Sequence, residues 1–323
     1  MIYITQGHEL SIGPEVFLKA FSLLPDPAKK KFVYIGTQEC LKAQLGFLKI
    51  PFSFKQSQLN FLNSTLNCHF IEGASTQALE TGSKLTKKKD ILLTLPTSKD
   101  QIFYKNKVST GHTDFFRKYF KIKDISMVFS SPSENVLLIT DHLPLKDVSK
   151  SITEKLIVDK ISLTLKNFPK YFHSFEEVLI SGINPHAGEE GILGSEDQKI
   201  NKAILKLQKA FKKVKFVGPL SGDSLHFHEN PEKKQLKVYM YHDQGLVPFT
   251  TLAFGSGVNL TAGLPIVRTS PDHGTGYDIA GKNVASEASF RQAIYLACDI
   301  YKNRVLHKEL TAHPLKISNL KRE

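Results

Sequence analysis

Short apolar runs alternate along this chain with segments of helical periodicity, and this alternation limits its fold more than any other feature of the sequence. The runs that we predict as strands span residues 2–5, 32–35, 91–95, 136–140, 178–181, 216–217 and 238–241. A helical pattern follows Pro14, and Ser151 with Glu154 has the spacing of a capping box that opens another helix. Strands that alternate with helices indicate an α/β architecture. A chain of 323 residues is long enough for one large or two moderate domains of this class.

The basic composition raises the question of a nucleic-acid partner, because 43 lysines and arginines face 31 acidic residues. The lysine clusters at 29–31, 87–89, 212–213 and 233–234 fall between the predicted elements. No basic stripe interleaved with aromatic residues accompanies them. Solvated lysine faces explain such clusters better, so we predict no nucleic-acid partner.

The expected compartment follows from three absences in the sequence. No apolar run approaches the roughly 20 residues that span a bilayer, and the first residues have no signal-peptide pattern. Three cysteines (Cys40, Cys68 and Cys298) lie far apart without a C-x-x-C pair. We therefore predict a cytoplasmic protein with no membrane contact and no disulfide framework.

Three histidines follow predicted strands directly, and we predict that they bind a metal. They are His142 in DHLPL, His186 in SGINPHAGEEG and His242 in MYHDQGL. Ligands of open α/β sheets bind at the carboxyl ends of strands. Imidazoles bind zinc, cobalt or nickel, and with carboxylate and substrate oxygens also magnesium or manganese. The alternative for each histidine is a hydrogen bond to its own loop.

Three charged residues near these turns are candidates for proton transfer. Asp243 immediately follows His242, Asp223 lies in GPLSGD, and Lys99 comes just after the predicted strand 91–95. Either aspartate could orient a histidine ligand or move a proton. For Asp223, a turn or helix cap is the alternative of equal weight.

A second group of residues has the chemistry of an anion site. It contains a guanidinium, an amide and two donors on a Gly turn, which are Arg268, Asn259, His112 and Thr113. The planar fork of arginine matches carboxylate or phosphate oxygens. These residues fall in turns like those of the histidines, although any one of them could be a surface polar residue.

The segment 269–282, TSPDHGTGYDIAGK, is a candidate nucleotide contact, although it is not a G-x-G-x-x-G fingerprint. A turn with His273, Gly274 and Thr275, followed by Asp278, could offer backbone N–H groups and side chains to an adenosine. A structural loop would show the same residues.

These segments together resemble one enzyme family along nearly the whole chain. The motifs GHTD, DHLPL, SGINPHAGEEG, GPLSGD, MYHDQGL, GVNLTAGLP and RTSPDHGT appear in this order. They are similar to the motifs of the 4-hydroxythreonine-4-phosphate dehydrogenases, whose fold is like that of isocitrate and isopropylmalate dehydrogenases. The segment DHGTGYDIAGK also resembles the adenosine-contacting loop of isopropylmalate dehydrogenases, which implies NAD or NADP as the cofactor.

The resemblance implies two α/β domains with the active site in the cleft between them. We expect residues 1–125 with 260–323 to form the first domain and 126–259 the second. It implies a homodimer with a shared active site, in which one divalent metal is bound by His142 and His186 of one subunit and by His242 of the other. The implied substrate contacts, including those to its phosphate, come from His112, Thr113, Asn259 and Arg268.

The implied reaction is oxidation of 4-phosphohydroxy-L-threonine to a β-keto acid, which decarboxylates to 3-amino-2-oxopropyl phosphate in pyridoxal phosphate biosynthesis. Two departures from the family bear on it. Thr250 stands where the family has a substrate-contacting lysine, and His8–Ser11 replace a Gly-Asp-Pro-Ala-Gly segment. The alternatives are therefore a dehydrogenase of threonate or erythronate 4-phosphate and a catalytically weak paralogue that binds a metabolite.

Overall fold

Ten α-helices and fifteen β-strands form within residues 1–253 and 255–312, the part of the chain that the computed structural model describes. The helices are α1 (Gly13–Ser22), α2 (Asp26–Lys29), α3 (Gln38–Phe47), α4 (Ser75–Leu85), α5 (His112–Tyr119), α6 (Leu145–Ser151), α7 (Glu154–Tyr171), α8 (Asp197–Ala210), α9 (His242–Leu252) and α10 (Ala288–Ala312). The strands are β1 (Ile2–Thr5), β2 (Phe32–Gly36), β3 (Phe52–Lys55), β4 (Gln58–Phe61), β5 (Ser64–Phe70), β6 (Ile91–Thr94), β7 (Phe103–Tyr104), β8 (Lys107–Val108), β9 (Ser126–Ser130), β10 (Asn135–Leu138), β11 (Glu177–Ser181), β12 (Lys215–Leu220), β13 (Gln235–Tyr239), β14 (Val258–Ala262) and β15 (Val267–Pro271).

Thirteen of these strands form one mixed sheet in the order β12-β11-β13-β10-β9-β14-β15-β6-β1-β2-β5-β4-β3. One parallel block runs from β12 to β10 and a second from β15 to β5. The antiparallel strands β9 and β14 join the two blocks. Helices cover the blocks, which explains why strands such as β6 and β11 are buried along their whole length. The predicted α/β class is confirmed.

The strands of the two predicted domains lie in one sheet, and this strand order does not test the division into domains. Strands from residues 1–125 lie at one end of the sheet, and β9 to β13 lie at the other. Strand β14 (Val258–Ala262) crosses the predicted boundary at residue 259. The two-domain division stays a prediction.

The two faces of the β10–β13 region pack against different helices. Alternate residues such as Leu137 and Val238 join the main core with α7 and α8, while Leu138 and Tyr239 join a smaller core with α9. This separation follows from the two-residue period of a strand. The smaller core is the one nearest the histidine turns described below.

The predicted strands are all present within a few residues of their expected bounds, and Pro14 lies in the first turn of α1. The predicted helix start at Ser151 is wrong. Ser151 ends α6 and donates to the carbonyl of Asp147 (2.8 Å), whereas Thr153 caps α7 by accepting from the N–H of Leu156 (3.1 Å). The strands that the sequence did not predict include β3 to β5, β9, β14 and β15. Within the described residues, no helix combines the length and apolarity that crossing a membrane requires.

A pair of helical glycines tests the close packing of α4 on the sheet. A Cβ at Gly82 would lie 2.6 Å from Cγ2 of Thr5 and 3.0 Å from Cδ1 of Leu92, whereas a Cβ at Gly46 in α3 would meet nothing within 4 Å. We expect Gly82→Ala to lower the free energy of unfolding by about 1–3 kcal/mol, because α4 must move off the sheet. Gly46→Ala should raise it by about 0.5–1 kcal/mol through helix propensity. Urea unfolding measures both; a Gly82→Ala midpoint at or above that of the wild type would contradict this packing.

Candidate active site

A cavity of about 210 Å³ lies where the turns after β6 and β15 meet those after β10 and β13. Most of the residues that the sequence nominated line it, namely Lys99, His112, Thr113, His142, His242, Asn259, Arg268, His273, Gly274 and Thr275. The nominated residues outside its lining are His186, Asp223, Asp243, Thr250 and Asp278. Asn259 and Arg268 lie within strands β14 and β15, not in turns as we expected. One cavity therefore collects the predicted anion-binding residues and two of the three histidines.

Arg268 is a buried cation that has no carboxylate partner among residues 1–253 and 255–312. Its side chain is 3% exposed, and its terminal nitrogens donate to the hydroxyls of Thr261 (3.1 Å) and Thr94 (2.6 Å). The Nε atom is buried with no hydrogen-bond partner, and the guanidinium lies 5.5 Å from the ring centre of Phe116. Burial lowers the pKa of Arg268 to about 9, so the group stays charged at neutral pH. A buried charge needs a counter-ion, and this one has a cavity in front of it.

The other anion-binding candidates complete a set of donors around the same cavity. His112 and Thr113 are the first residues of α5, where free backbone N–H groups and the helix dipole favour an anion. Burial lowers the pKa of His112 well below its ordinary value, and the charge of Arg268 lowers it further. The imidazole is therefore neutral and can donate one N–H. Asn259 also faces the cavity, with a buried Oδ1 that has no partner.

His142 and His242 form a pair that fits a divalent cation. Their ring centres are 5.4 Å apart within one chain. Burial lowers the pKa of His142, and the nearby Lys99 ammonium adds to this effect, so its lone pair is available at neutral pH. The Nδ1–H of His242 donates to Asp243 (2.7 Å), which fixes the ring and leaves Nε2 as the ligand atom.

His186 lies outside the cavity lining, in the turn Pro185–Gly191 after β11. All residues from His186 to Glu190 have positive φ, between 42° and 81°, which costs free energy for residues other than glycine. The buried carboxylate of Asp197 supports this turn by accepting from the side-chain amide of Asn184 (2.9 Å). The side chain of His186 is exposed, and the cavity that His142 and His242 line does not include it.

Asp223 shares the surroundings of His186. It is exposed and accepts from the hydroxyl of Ser221 (2.5 Å). That hydrogen bond and the nearby His186 hold the pKa of Asp223 below its ordinary value. An ionised carboxylate therefore accompanies this histidine, as Asp243 accompanies His242.

Thr250 does not replace the missing lysine contact. It lies in the last turn of α9, where its exposed hydroxyl donates to the carbonyl of Leu246 (2.7 Å). A hydroxyl bound to its own helix supplies no charge to the cavity.

Several contributors to the cavity were missed by sequence reasoning. Asp272 lines the cavity and accepts from the hydroxyl of Ser289 (2.6 Å); its place directly before His273 was an available signal. The hydroxyls of Thr94 and Thr261 hold Arg268, but threonine in a strand has no distinguishing pattern. Their role emerges only when β14, β15 and β6 are paired.

Another cluster has metal-ligating side chains. In the part of the chain described above, Glu134, His226 and Glu229 are the only group whose ligand atoms lie within 4.8 Å of one another. The buried ammonium of Lys237 already contacts Glu134 (2.6 Å) and Glu229. Lys237 thus supplies the positive charge there, and we interpret the cluster as a structural ion-pair network.

The fold and cavity together define a class, an α/β enzyme whose cavity is lined by a buried arginine and a pair of histidines. The profile of the family "Pyridoxal phosphate biosynthetic protein PdxA" matches residues 28–297. A 4-hydroxythreonine-4-phosphate dehydrogenase of Sulfurihydrogenibium sp. is 37% identical, covering 91% of this chain and 96% of that protein. A D-threonate 4-phosphate dehydrogenase of Cupriavidus necator is 30% identical over 94% of this chain and 98% of its own. The chain belongs to the PdxA family.

Solved structures agree with the fold. A 4-hydroxythreonine-4-phosphate dehydrogenase from Klebsiella pneumoniae has a TM-score of 0.73 and 25% identity, covering 93% of this chain and 99% of its own. An isocitrate dehydrogenase from Methylococcus capsulatus has a TM-score of 0.52 at 11% identity, with 96% and 88% coverage, which bears on the fold alone. The family and fold class expected from the sequence are confirmed, while the roles of individual residues stay predictions.

The unpaired charge of Arg268 predicts stabilisation by anions. We expect inorganic phosphate to raise the thermal unfolding midpoint by about 2–5 °C near saturation, because it binds only the folded state. Arg268→Gln should remove most of this shift. Arg291→Gln, which loses only a surface pair with Glu287, should keep it. Equal phosphate shifts in both variants, measured by calorimetry, would show that the anion binds elsewhere.

Proposed function

We propose that this chain is the NAD(P)-dependent and metal-dependent oxidoreductase that converts 4-phosphohydroxy-L-threonine to a β-keto acid, which decarboxylates to 3-amino-2-oxopropyl phosphate. The observation that carries this proposal is the unpaired guanidinium of Arg268, which faces the same cavity as the His142–His242 pair. A phosphorylated hydroxy acid has an anionic end that can bind the guanidinium and a hydroxyl that can bind a metal held by the histidine pair. The names of the family and of the relative from Sulfurihydrogenibium support the assignment.

The anionic part of the substrate is held by the donor set of the cavity. Arg268 supplies the charge and neutral His112 an N–H, and the start of α5 at Thr113 adds backbone donors. Charge-assisted hydrogen bonds to a phosphate are stronger than neutral ones and have directional geometry. These residues therefore bind and orient the substrate without taking part in bond breaking.

His142 and His242 are the residues that would hold the divalent metal, and Asp243 orients the second of them. When bound, the metal supplies a Lewis acid that lowers the pKa of the substrate hydroxyl and stabilises charge on the carbonyl oxygen. Two imidazole ligands fit zinc or cobalt, and magnesium or manganese would need more oxygen ligands.

The cofactor would contact the segment from His273 to Asp278. Three observations support this choice. Gly274 and Thr275 line the cavity, the buried Nε2 of His273 has no partner, and Asp278 is exposed for a ribose hydroxyl. NAD or NADP supplies hydride acceptance, while the protein supplies orientation and electrostatics.

Lys99 is our candidate for proton transfer. It lines the cavity close enough to His142 to lower the pKa of that histidine. Asp243 is occupied by its hydrogen bond to His242, and Asp223 lies beside His186. Lys99 is thus the nominated residue with direct access to a bound hydroxyl.

We also propose a homodimer in which His186 completes the metal site of the other subunit. Large apolar side chains are exposed on the neighbouring turns, with Ile192 at 82% and Phe227 at 88% exposure. Such surfaces are typical of interfaces, and two-fold symmetry makes the same patch meet itself. Because His142 and His242 pair within one chain, we propose that His186 of the partner subunit joins them. This differs from the arrangement implied by the resemblance, in which His242 came from the other subunit.

The free cysteines fit a reducing compartment. Cys40, Cys68 and Cys298 form no disulfide, and burial raises the pKa of the Cys40 thiol to about 11, which makes it unreactive. We place the enzyme in the cytoplasm.

One alternative substrate has specific support. A relative with 98% of its length aligned is named D-threonate 4-phosphate dehydrogenase. A sugar-acid phosphate carries the same phosphate and hydroxyl but no ammonium group.

Substrate oxidation is tested by following absorbance of the reduced cofactor with a divalent metal present. The substrates are 4-phosphohydroxy-L-threonine and the D-threonate and D-erythronate 4-phosphates. We expect turnover of the first, lost on chelation and restored by metal. His242→Ala should lower kcat/KM by roughly 100-fold or more through loss of a metal ligand. His69→Ala, at an exposed position of β5, serves as the control. Turnover of only a sugar-acid phosphate would show that this compound is the substrate. No turnover of any of the three compounds would contradict the assignment of the chain as an enzyme.

Mixed dimers test which subunit supplies His186. Two variant chains with different affinity tags are co-expressed and the heterodimer is purified through both tags. The pair His142→Ala with His186→Ala should regain about half of wild-type activity, because one of its two symmetric sites is intact. The pair His142→Ala with His242→Ala should stay inactive.

The reverse pattern of recovery would favour the arrangement implied by the resemblance, with His242 from the other subunit. A monomer in sedimentation experiments, with full activity, would contradict both arrangements.

A further inference from the structure

The segment between β15 and α10 has no helix or strand from residue 272 to 287, yet its backbone is tied firmly to α1. Backbone polar groups away from water need partners, and an irregular segment cannot find all of them within itself. Two charged side chains of α1, Glu15 and Lys19, provide several of these partners. We call them the Glu15–Lys19 pair.

The contacts of the Glu15–Lys19 pair converge on two residues of this segment. The ammonium of Lys19 donates to the carbonyls of Asn283 (3.1 Å) and Ala285 (2.9 Å) and to the carboxylate of Glu15 (2.7 Å). The same carboxylate oxygen of Glu15 accepts from the N–H of Ala285 (3.1 Å). The pair thus satisfies three backbone groups from a part of the chain more than 260 residues away.

Burying the carboxylate of this pair costs free energy that an apolar side chain in the same place would not cost. Glu15 is 0% exposed, and its second carboxylate oxygen is buried without a partner. Apolar residues of similar volume often replace a buried ion pair with no loss of stability. Apolar residues could not, however, satisfy the backbone groups of Asn283 and Ala285. The two charged side chains are therefore required for hydrogen bonds to the segment, whereas the core around α1 would pack equally well with apolar side chains.

The beginning of the segment is fixed by the same region of the chain. The N–H of Ile12 donates to the carbonyl of Thr275 (2.8 Å). Gly276 has φ of +54°, and a Cβ there would lie 3.0 Å from the Ile12 side chain. Asp278 thus lies between two anchored points, Thr275 and Ala285.

We infer that Glu15 and Lys19 are positioning residues for the nicotinamide cofactor. They hold residues 275–285 in the conformation that presents Gly274, Thr275 and Asp278. This inference rests on the proposed function, in which that segment contacts the cofactor. A segment that is already ordered pays less conformational entropy when its ligand binds, which strengthens binding without a new contact. Substrate binding should be independent of the pair, because Arg268 and His112 lie on β15 and α5.

The inference is tested with Lys19→Met in the full-length enzyme. We expect KM for the nicotinamide cofactor to rise about 10-fold, because charge-assisted hydrogen bonds to the segment are lost. KM for the phosphorylated substrate and kcat should stay within about two-fold of the wild type. Lys19→Arg keeps the donors and should recover most of the cofactor affinity. Lys155→Met is the matched control, because it breaks an i,i+4 pair with Asp159 on the exposed face of α7.

Hydrogen exchange without cofactor shows whether the segment itself is released. Faster exchange confined to residues 276–285 in Lys19→Met, together with the cofactor KM effect, supports the inference. Faster exchange with an unchanged cofactor KM overturns it, as does an equal rise in both KM values. A wild-type enzyme that binds no nicotinamide cofactor in direct titration would contradict the proposed function, and the positioning role with it.

Discussion

The pairing of β14, β15 and β6 is the constraint on which the rest of the site depends. These three neighbouring strands lie where the two parallel blocks of the sheet are joined, and Arg268 is on the middle one. Thr261 on one neighbour and Thr94 on the other hold its guanidinium from both sides. A change of one residue in register would turn Arg268 to the opposite face of the sheet and leave both hydroxyls without their partner. The position of this guanidinium is therefore fixed by the pairing of the three strands.

Burial sets the state of two imidazoles in the cavity, and nearby cations reinforce its effect. His112 and His142 are both shifted toward the neutral form by burial, and the cations Arg268 and Lys99 reinforce the two shifts. A neutral imidazole can ligate a metal or donate a single N–H, whereas an imidazolium can ligate nothing. The cavity thus concentrates its positive charge on two side chains and keeps its histidines available as ligands.

How much of this the sequence could predict depends on how closely each element follows a simple pattern. Strands β1, β6 and β11 are buried runs of apolar residues and were found from periodicity alone. Strands β14 and β15 were missed because the polar residues Asn259 and Arg268 interrupt their apolar runs, and we interpreted these two residues as turn residues. The strand-end rule found His142 and His242, whose turns follow neighbouring parallel strands. It could not show that His186 lies in a left-handed turn outside the cavity lining, because five consecutive positive φ values leave no reliable sequence signal.

Around the site, carboxylates hold irregular backbone segments and one histidine ring in place by accepting hydrogen bonds from them. Asp197 supports the turn that presents His186, Asp243 fixes the ring of His242, and Glu15 with Lys19 anchors the segment that follows β15. Each carboxylate accepts a hydrogen bond from a group that would otherwise lack a partner in the folded chain. Its function is thereby to fix the position of that group. This function is the reason that we propose Lys99 for proton transfer in preference to Asp243, which holds the ring of His242. Among the residues that the structure describes, Lys99 lines the cavity without such a hydrogen bond to hold it. Access to the cavity is therefore a better criterion for a proton-transfer residue than a position next to a histidine in the sequence.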